Sequence, residues 1–111
     1  MSSQWPLKSV RMLRDYYWEK LSFNQDEVAQ LLQVTGEEGT SLGERLGLGD
    51  RATVAEMLTC AEERLRYWHR RENDFRPDDT RETIRAARVL AHSYRRIVER
   101  VNKVKFYLYH L

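Results

Sequence analysis

The sequence predicts an all-α protein, a small helical bundle of about four to five helices with two long C-terminal helices. Apolar residues recur three and four positions apart along most of the 111 residues, as on the buried faces of amphipathic helices. Ser, Asn or Asp begins several of these patterns, with a glutamate three positions later, as in a capping box. No linker divides the chain, so a single domain over residues 1–111 is expected.

The first two predicted helices are short. Pro6 stands where a helix can start, and the first helix should extend over residues 7–21. Its inward face consists of Leu7, Val10, Leu13, Tyr17 and Leu21. Asn24 and Glu27 form a capping box that opens the second helix, and a loop is expected at residues 35–40. The inward residues of this helix are Val28, Leu31 and Leu32.

A very short third helix and a long fourth helix come next. Ser41 and Glu44 form another capping box, and the short helix should end near Gly47. The long helix should run from Ala52 to about Asn73, because a proline follows soon after and disfavours helical backbone before it. Its inward column consists of Val54, Met57, Leu58, Ala61, Leu65 and Trp68.

The last predicted helix is the longest. Asp79 and Glu82 supply its capping box, and its apolar pattern continues almost to residue 111. The inward column consists of Ala87, Leu90, Tyr94, Ile97, Val101, Val104, Leu108 and Leu111. Further apolar residues flank this column at Ile84, Ala91 and Val98, which favours a bundle over a two-column coiled coil.

The length of this last helix also predicts self-association. A helix of about 30 residues spans roughly 45 Å, more than a compact monomer of this size needs. We therefore expect a homo-oligomer, most simply a dimer. The residues assigned to the contact are Tyr94, Ile97, Val101, Val104, Leu108 and Leu111.

Composition and hydropathy restrict the classes of protein to which this chain can belong. The longest apolar stretches are far too short to cross a bilayer, and the N-terminal residues lack the pattern of a secretory signal. The single Cys60 lies on an apolar helical pattern, as a buried thiol does. We expect a cytoplasmic protein without membrane contact. Residues 61–111 carry thirteen Lys or Arg against eight Asp or Glu, an asymmetry that indicates an acidic partner or nucleic acid, although a solvated helix face is its commoner cause.

The sequence contains no recognisable catalytic or metal-binding constellation. His69, His92 and His110 are scattered, and no nucleophile elbow or paired metal-ligand spacing accompanies them. No cofactor and no metal are therefore expected, and the protein is predicted not to be an enzyme. A small helical mutase or lyase is the third class considered, and it would need polar residues on the buried columns.

The segment at residues 41–54 resembles the second helix, turn and third helix of helix-turn-helix DNA-binding proteins. The resemblance implies that Arg51 and Thr53 face the groove, with Arg64, Arg66 and Arg70 on phosphates. A DNA-binding transcriptional regulator is accordingly the alternative function, with nucleic acid as the alternative partner.

A second surface combines basic and aromatic residues on the two long helices. Arginine and tryptophan anchor many protein interfaces, and interspersed glutamates favour a protein partner over nucleic acid. The sequence thus predicts a non-enzymatic protein-protein interaction module, an adaptor, inhibitor or small regulatory subunit that binds an acidic surface. The residues assigned to the partner are Arg64, Arg66, Tyr67, Trp68, Arg70, Arg71, Arg81, Arg85, Arg88 and Arg95.

Overall fold

The structure is a computed structural model that describes the backbone of residues 7–17 and 19–110 and the side chains of residues 11–17 and 19–109. Within these ranges the chain forms five helices: α1 (Leu7–Tyr17), α2 (Gln25–Val34), α3 (Leu42–Arg45), α4 (Val54–Asn73) and α5 (Arg81–His110). The predicted all-α bundle with two long C-terminal helices is confirmed. Pro6 and Leu111 lie outside the described residues.

Capping boxes start three of the five helices. The Asn24 side chain accepts from the Glu27 backbone N–H at 2.8 Å, and the Glu27 carboxylate accepts from the Asn24 backbone N–H at 3.0 Å. The predicted box of Ser41 with Glu44 is present in the same form. A third box, Thr53 with Glu56, opens α4 and was not predicted. Each box satisfies backbone donors that the first turn of a helix leaves without a partner.

The first helix ends earlier than predicted. Its last residue is Tyr17, and the chain beyond it is held by hydrogen bonds from the Glu19 N–H to the Tyr16 carbonyl and from the Lys20 N–H to the Asp15 carbonyl. This pair of bonds is a Schellman closure, with Glu19 in the left-handed region at φ 56°. Tyr17 is 65% exposed, so its assignment to the inward face was wrong.

The last helix is capped by a different residue than predicted. The Thr83 backbone N–H donates to Thr80 Oγ1 at 3.0 Å, and the Ile84 N–H donates to the Thr80 carbonyl. Asp79 instead accepts from the Arg76 backbone N–H and from the Arg71 guanidinium. The predicted box of Asp79 with Glu82 is therefore wrong, because a more distant arginine takes the carboxylate.

The hydrophobic core lies along α5, which packs against α4 as a helical hairpin and is covered by α1 and α2. Within the α4 column, Ala61 and Trp68 are fully buried and the other predicted members are half-buried. The Trp68 indole N–H donates to Gln30 Oε1 at 2.8 Å, so its polar atom is satisfied inside the core. The buried residues of α5 are Ala86, Ala87, Leu90, Ala91, Tyr94, Ile97 and Val101.

The final turns of α5 extend beyond this core. The molecule is 48 Å long, close to the length of about 45 Å that a 30-residue helix spans. The inward column ends at Val101, since Val104 is 39% and Leu108 is 60% exposed. Among the described helices, none combines the length and apolar character that crossing a membrane requires.

Candidate functional site: an arginine-lined cleft

An open cleft of about 940 Å³ lies between α1, the loop after α2, α3 and α5. Its charged lining is mostly arginine, and the acids among the described lining residues are Asp15 and Glu72. The arginines are Arg11, Arg45, Arg85, Arg88, Arg95, Arg96 and Arg100. Guanidinium groups are permanently charged and present several N–H donors in a planar fork. The cleft is therefore suited to hold an anionic ligand.

The cleft also has an apolar component. Side chains without polar groups lie between the arginines, from α1, α2 and α5. They are Met12, Val34, Ala86, Val89, Ala91 and Ile97. The described lining includes no Phe, Tyr or Trp, and His92 supplies its one unsaturated ring. The site thus combines charge with aliphatic surface and does not offer the aromatic platforms on which nucleic acid bases stack.

The periodicity of α5 explains one side of the cleft. Arg85, Val89, His92, Arg96 and Arg100 follow one another three or four positions apart, so they form a stripe along one face of the helix. Arg88 and Arg95, two of the predicted partner residues, lie at the margin of this stripe. The stripe contains the predicted Arg85, whereas Arg81 is exposed outside the cleft lining.

Arg45 brings a charge to the cleft from α3. Its Nε donates to the Val34 carbonyl at 2.9 Å, which fixes the side chain while its two terminal amino groups stay available. Burial lowers the pKa of Arg45, and the positive charges of Arg100 and Arg96 lower it further. None of the ion pairs among the described side chains involves these three arginines.

The basic and aromatic face predicted on α4 is internal in part. Trp68 is fully buried, and Arg71 is 5% exposed. The Tyr67 hydroxyl donates to Glu27 Oε2 at 2.6 Å, and Arg64 donates to Gln33 Oε1 at 2.8 Å. The prediction that these residues form part of the partner surface is wrong for Trp68 and Arg71, because their side chains are used inside the bundle.

Two predicted α4 residues, Arg66 and Arg70, do reach the surface. They line a shallow depression with His69, Asn73 and Asp74, away from the α5 cleft. The structure therefore does not bring the predicted partner residues together on one surface. It divides most of them among an internal group, a shallow α4 depression and the α5 cleft, while Arg81 lies outside all three.

The internal group is built around Glu27, which is 1% exposed. Arg71 Nε donates to Glu27 Oε2 at 3.0 Å, and Arg71 also donates to Asp79 Oδ1 at 2.7 Å. Burial would raise the pKa of Glu27, but hydrogen bonds from Tyr67, the Asn24 backbone and Arg71 together hold it below its usual value. The hydrogen bond from Arg71 lowers the pKa of Asp79. Every ionic group here has a partner, so the cluster is structural.

The residues assigned to self-association also separate. Tyr94, Ile97 and Val101 are fully buried within their own chain, so they cannot contact a second copy in this fold, and their assignment was wrong. Val104 and Leu108 are exposed and could make such a contact, while Leu111 lies outside the described residues. Self-association through the last turns of α5 stays a prediction.

The segment that resembles a helix-turn-helix has a different geometry. α3 contains four residues, and residues 46–53 separate it from α4, whereas the motif uses a turn of about three to four residues. Thr53 caps α4, with its hydroxyl oxygen accepting from the Glu56 N–H at 3.1 Å. Arg51 is exposed in the preceding turn. The geometry gives the DNA-binding alternative no support, and that alternative stays an untested prediction.

Sequence reasoning missed four lining arginines: Arg11, Arg45, Arg96 and Arg100. Spacing on the last helix could have found Arg96 and Arg100, since they continue the stripe that begins at Arg85. Arg11 and Arg45 belong to other elements, and the tertiary packing alone brings them to the same cleft. No group of described His, Cys, Asp and Glu residues is arranged to hold a metal ion.

The chain matches no protein-family model, and neither the curated proteins nor the solved structures compared with it give a match. The geometry of the cleft is therefore the basis for a functional proposal.

Proposed function

We propose that this protein is a non-enzymatic interaction module that holds an acidic segment of a partner protein in the arginine-lined cleft. The observation that carries the proposal is the concentration of seven arginines around aliphatic surface, with two acids in the described lining. Such a module would act as an adaptor, an inhibitor or a small regulatory subunit. Arginine suits this role because it orients carboxylates and phosphates but supplies no base at neutral pH.

The dimensions of the cleft indicate what kind of segment it would hold. From Arg85 to Arg100 the α5 wall rises roughly 22 Å, which an extended chain of about seven residues covers. Acidic side chains would meet the arginines, and apolar side chains would cover the half-buried Val89. The proposed ligand is thus a short segment that presents both acidic and apolar side chains to the same wall of the cleft.

The same lining disfavours single-stranded nucleic acid as the ligand. Proteins that bind it combine a basic groove with aromatic rings that stack on the bases. The aromatic residues Tyr67 and Trp68 of α4 lie outside this lining and are hydrogen-bonded to Glu27 and Gln30. We propose the cytoplasm as the compartment, where the free thiol of the half-buried Cys60 would stay reduced.

A peptide-selection experiment tests the proposal. The full-length protein would be offered a seven-residue library of mixed acidic and aliphatic residues, and a matched library with lysine in place of the acidic residues. We expect selection of acidic peptides only, and weaker binding as salt is raised, because the attraction is largely electrostatic.

Two double variants then locate the binding surface. Arg85→Glu with Arg96→Glu places acids in the cleft, and Arg66→Glu with Arg70→Glu makes the same charge change in the α4 depression. We expect the cleft variant to lose at least about tenfold in affinity and the α4 variant to keep it. Equal loss in both variants, or preferential capture of short nucleic acids by the wild-type protein, would overturn the proposal.

A further inference from the structure

Three of the lining arginines lie near one another at one end of the cleft, because the charges of Arg96 and Arg100 both act on Arg45. Arg96 and Arg100 lie on successive turns of α5, and Arg45 reaches them from α3. The bond from Arg45 Nε to the Val34 carbonyl holds that side chain in place. Two elements distant in sequence thus position donors around one point of the cleft.

The positive charges at this end of the cleft are not balanced by carboxylates of the described residues. Like charges four positions apart on a helix repel each other, as do Arg96 and Arg100, and Arg45 is half-buried beside both. Arg71, which is more buried, has Glu27 and Asp79 as partners. Within the described part of the chain, no carboxylate forms an ion pair with Arg45, Arg96 or Arg100. An anion bound here would relieve the repulsion.

We infer that Arg45, Arg96 and Arg100 form a site for a phosphate group carried by a phosphorylated serine or threonine in the acidic segment that the cleft holds. The inference rests on the proposed function and adds a regulatory step to it. A phosphorylated side chain carries about −1.5 to −2 charges and three acceptor oxygens, against one charge and two oxygens for a carboxylate. Three arginine forks match that larger charge and acceptor number better than they match a glutamate.

The rest of the cleft favours a phosphate that belongs to a peptide. A free phosphate would occupy the three-arginine end alone, whereas the aliphatic surface and Arg85 extend the site by about 17 to 22 Å along α5. A nucleotide would bring a base that finds no Phe, Tyr or Trp ring to stack on in the described lining, where His92 is the one aromatic residue. A phosphorylated segment would place its phosphate against the three arginines and its other side chains along the rest of the cleft.

The test compares three seven-residue peptides of identical acidic and aliphatic sequence, chosen from the selection above, with phosphoserine, glutamate or serine at the variable position. Affinities are measured by calorimetry against wild-type protein. We expect the phosphoserine peptide to bind about tenfold more tightly than the glutamate peptide. Inorganic phosphate and a short oligonucleotide serve as competitors, and both are expected to compete weakly.

Matched variants assign the preference to the three arginines. Arg96→Gln with Arg100→Gln should reduce the phosphoserine-to-glutamate affinity ratio to about one, while the glutamate peptide still binds. Arg85→Gln, at the other end of the cleft, should weaken both peptides equally and keep the ratio. Thermal melting of each variant checks that the fold is retained.

The outcomes separate this inference from the proposed function. Equal binding of the phosphoserine and glutamate peptides, or an unchanged ratio in the Arg96 and Arg100 double variant, overturns the phosphate site and leaves the acidic-segment proposal standing. Failure of the library to yield any acidic ligand overturns both. Strong competition by inorganic phosphate alone or by the oligonucleotide would also contradict the peptide-borne phosphate.

Discussion

Arg71 and Arg45 show two different uses of the same residue type in one small bundle. Arg71 is 5% exposed and is held by Glu27 and Asp79, so its charge is neutralised inside the fold. Arg45 is half-buried beside Arg96 and Arg100, and a backbone carbonyl accepts from its Nε. The first arrangement completes the structure, whereas the second leaves positive charge that a ligand can neutralise.

The difference identifies which arginines belong to a binding site. Burying a charge without a counter-ion costs free energy, so most buried charges in proteins have an ionic partner. In the cluster of Glu27, Arg71 and Asp79 each charged group has a partner of opposite charge. Removing one of these groups should lower the free energy of unfolding. The cleft arginines repel one another in the folded state, so neutralising one of them should raise the free energy of unfolding.

The largest effect is expected from Glu27→Ala. The change leaves Arg71 buried without one of its partners and removes the capping box of α2. We expect the free energy of unfolding to fall by about 3–5 kcal/mol, as measured by urea denaturation. Glu38→Ala, an exposed glutamate in the loop after α2, is the control and should change it by less than about 0.5 kcal/mol. A similar result for both variants would contradict the structural role of the cluster.

Acid should weaken the same cluster. The pKa of Glu27 lies below its ordinary value of 4.5, and that of Asp79 below 3.8, so both carboxylates are more acidic in the folded protein. Their contribution to stability is fully present above those ordinary values and is lost as pH falls through the lower native values. Urea denaturation between pH 7 and pH 2 should show this loss, and Glu27→Gln should flatten the curve. An equally steep curve in that variant would assign the loss to other groups.

Neutralising the cleft should have a small effect of opposite sign. Arg100→Gln removes a like-charge pair four positions apart on α5, and we expect a gain of about 0.2–0.5 kcal/mol at low salt. The gain should vanish at high salt because ions screen the repulsion. Arg51→Gln, in the turn before α4 and outside the cleft lining, is the exposed control. A loss of stability in Arg100→Gln would show that its charge has a partner within the fold.

The smallest effect on stability is expected from Leu108→Asp. This side chain is 60% exposed, so the unfolding free energy should change by less than about 0.5 kcal/mol. Light scattering would test the predicted self-association, since wild-type mass should exceed that of the variant if the last turns of α5 contact a second copy. A wild-type protein of 13.3 kDa at all concentrations would contradict that contact.

Local sequence signals predicted most of the fold because they act over a few residues. The capping boxes at Asn24 and Ser41 and the end of α4 at Asn73 follow from such signals. The end of α1 was not predicted, because the left-handed position after it, which is usually a glycine, is occupied by Glu19. The cap of α5 was misassigned because Asp79 is drawn to Arg71, a tertiary contact that spacing along the chain does not reveal.

The candidate site was less predictable because it depends on contacts between residues that are far apart in the sequence. Helical spacing predicted part of the α5 stripe, including Arg85. It could not show that Arg71 pairs with a glutamate 44 positions away, or that Arg45 joins α5 from a four-residue helix. Which basic residues remain available depends on distant partners, and only the folded arrangement supplies that information.

We propose that the α5 cleft, and not the basic face of α4, receives an acidic segment. Backbone amide chemical-shift mapping with an acidic seven-residue peptide tests it most directly. We predict that shifts will concentrate at Arg45 and along residues 85–100 of α5, with little change at residues 66–74. Shifts centred on residues 66–74, or none at saturating peptide, would contradict the account.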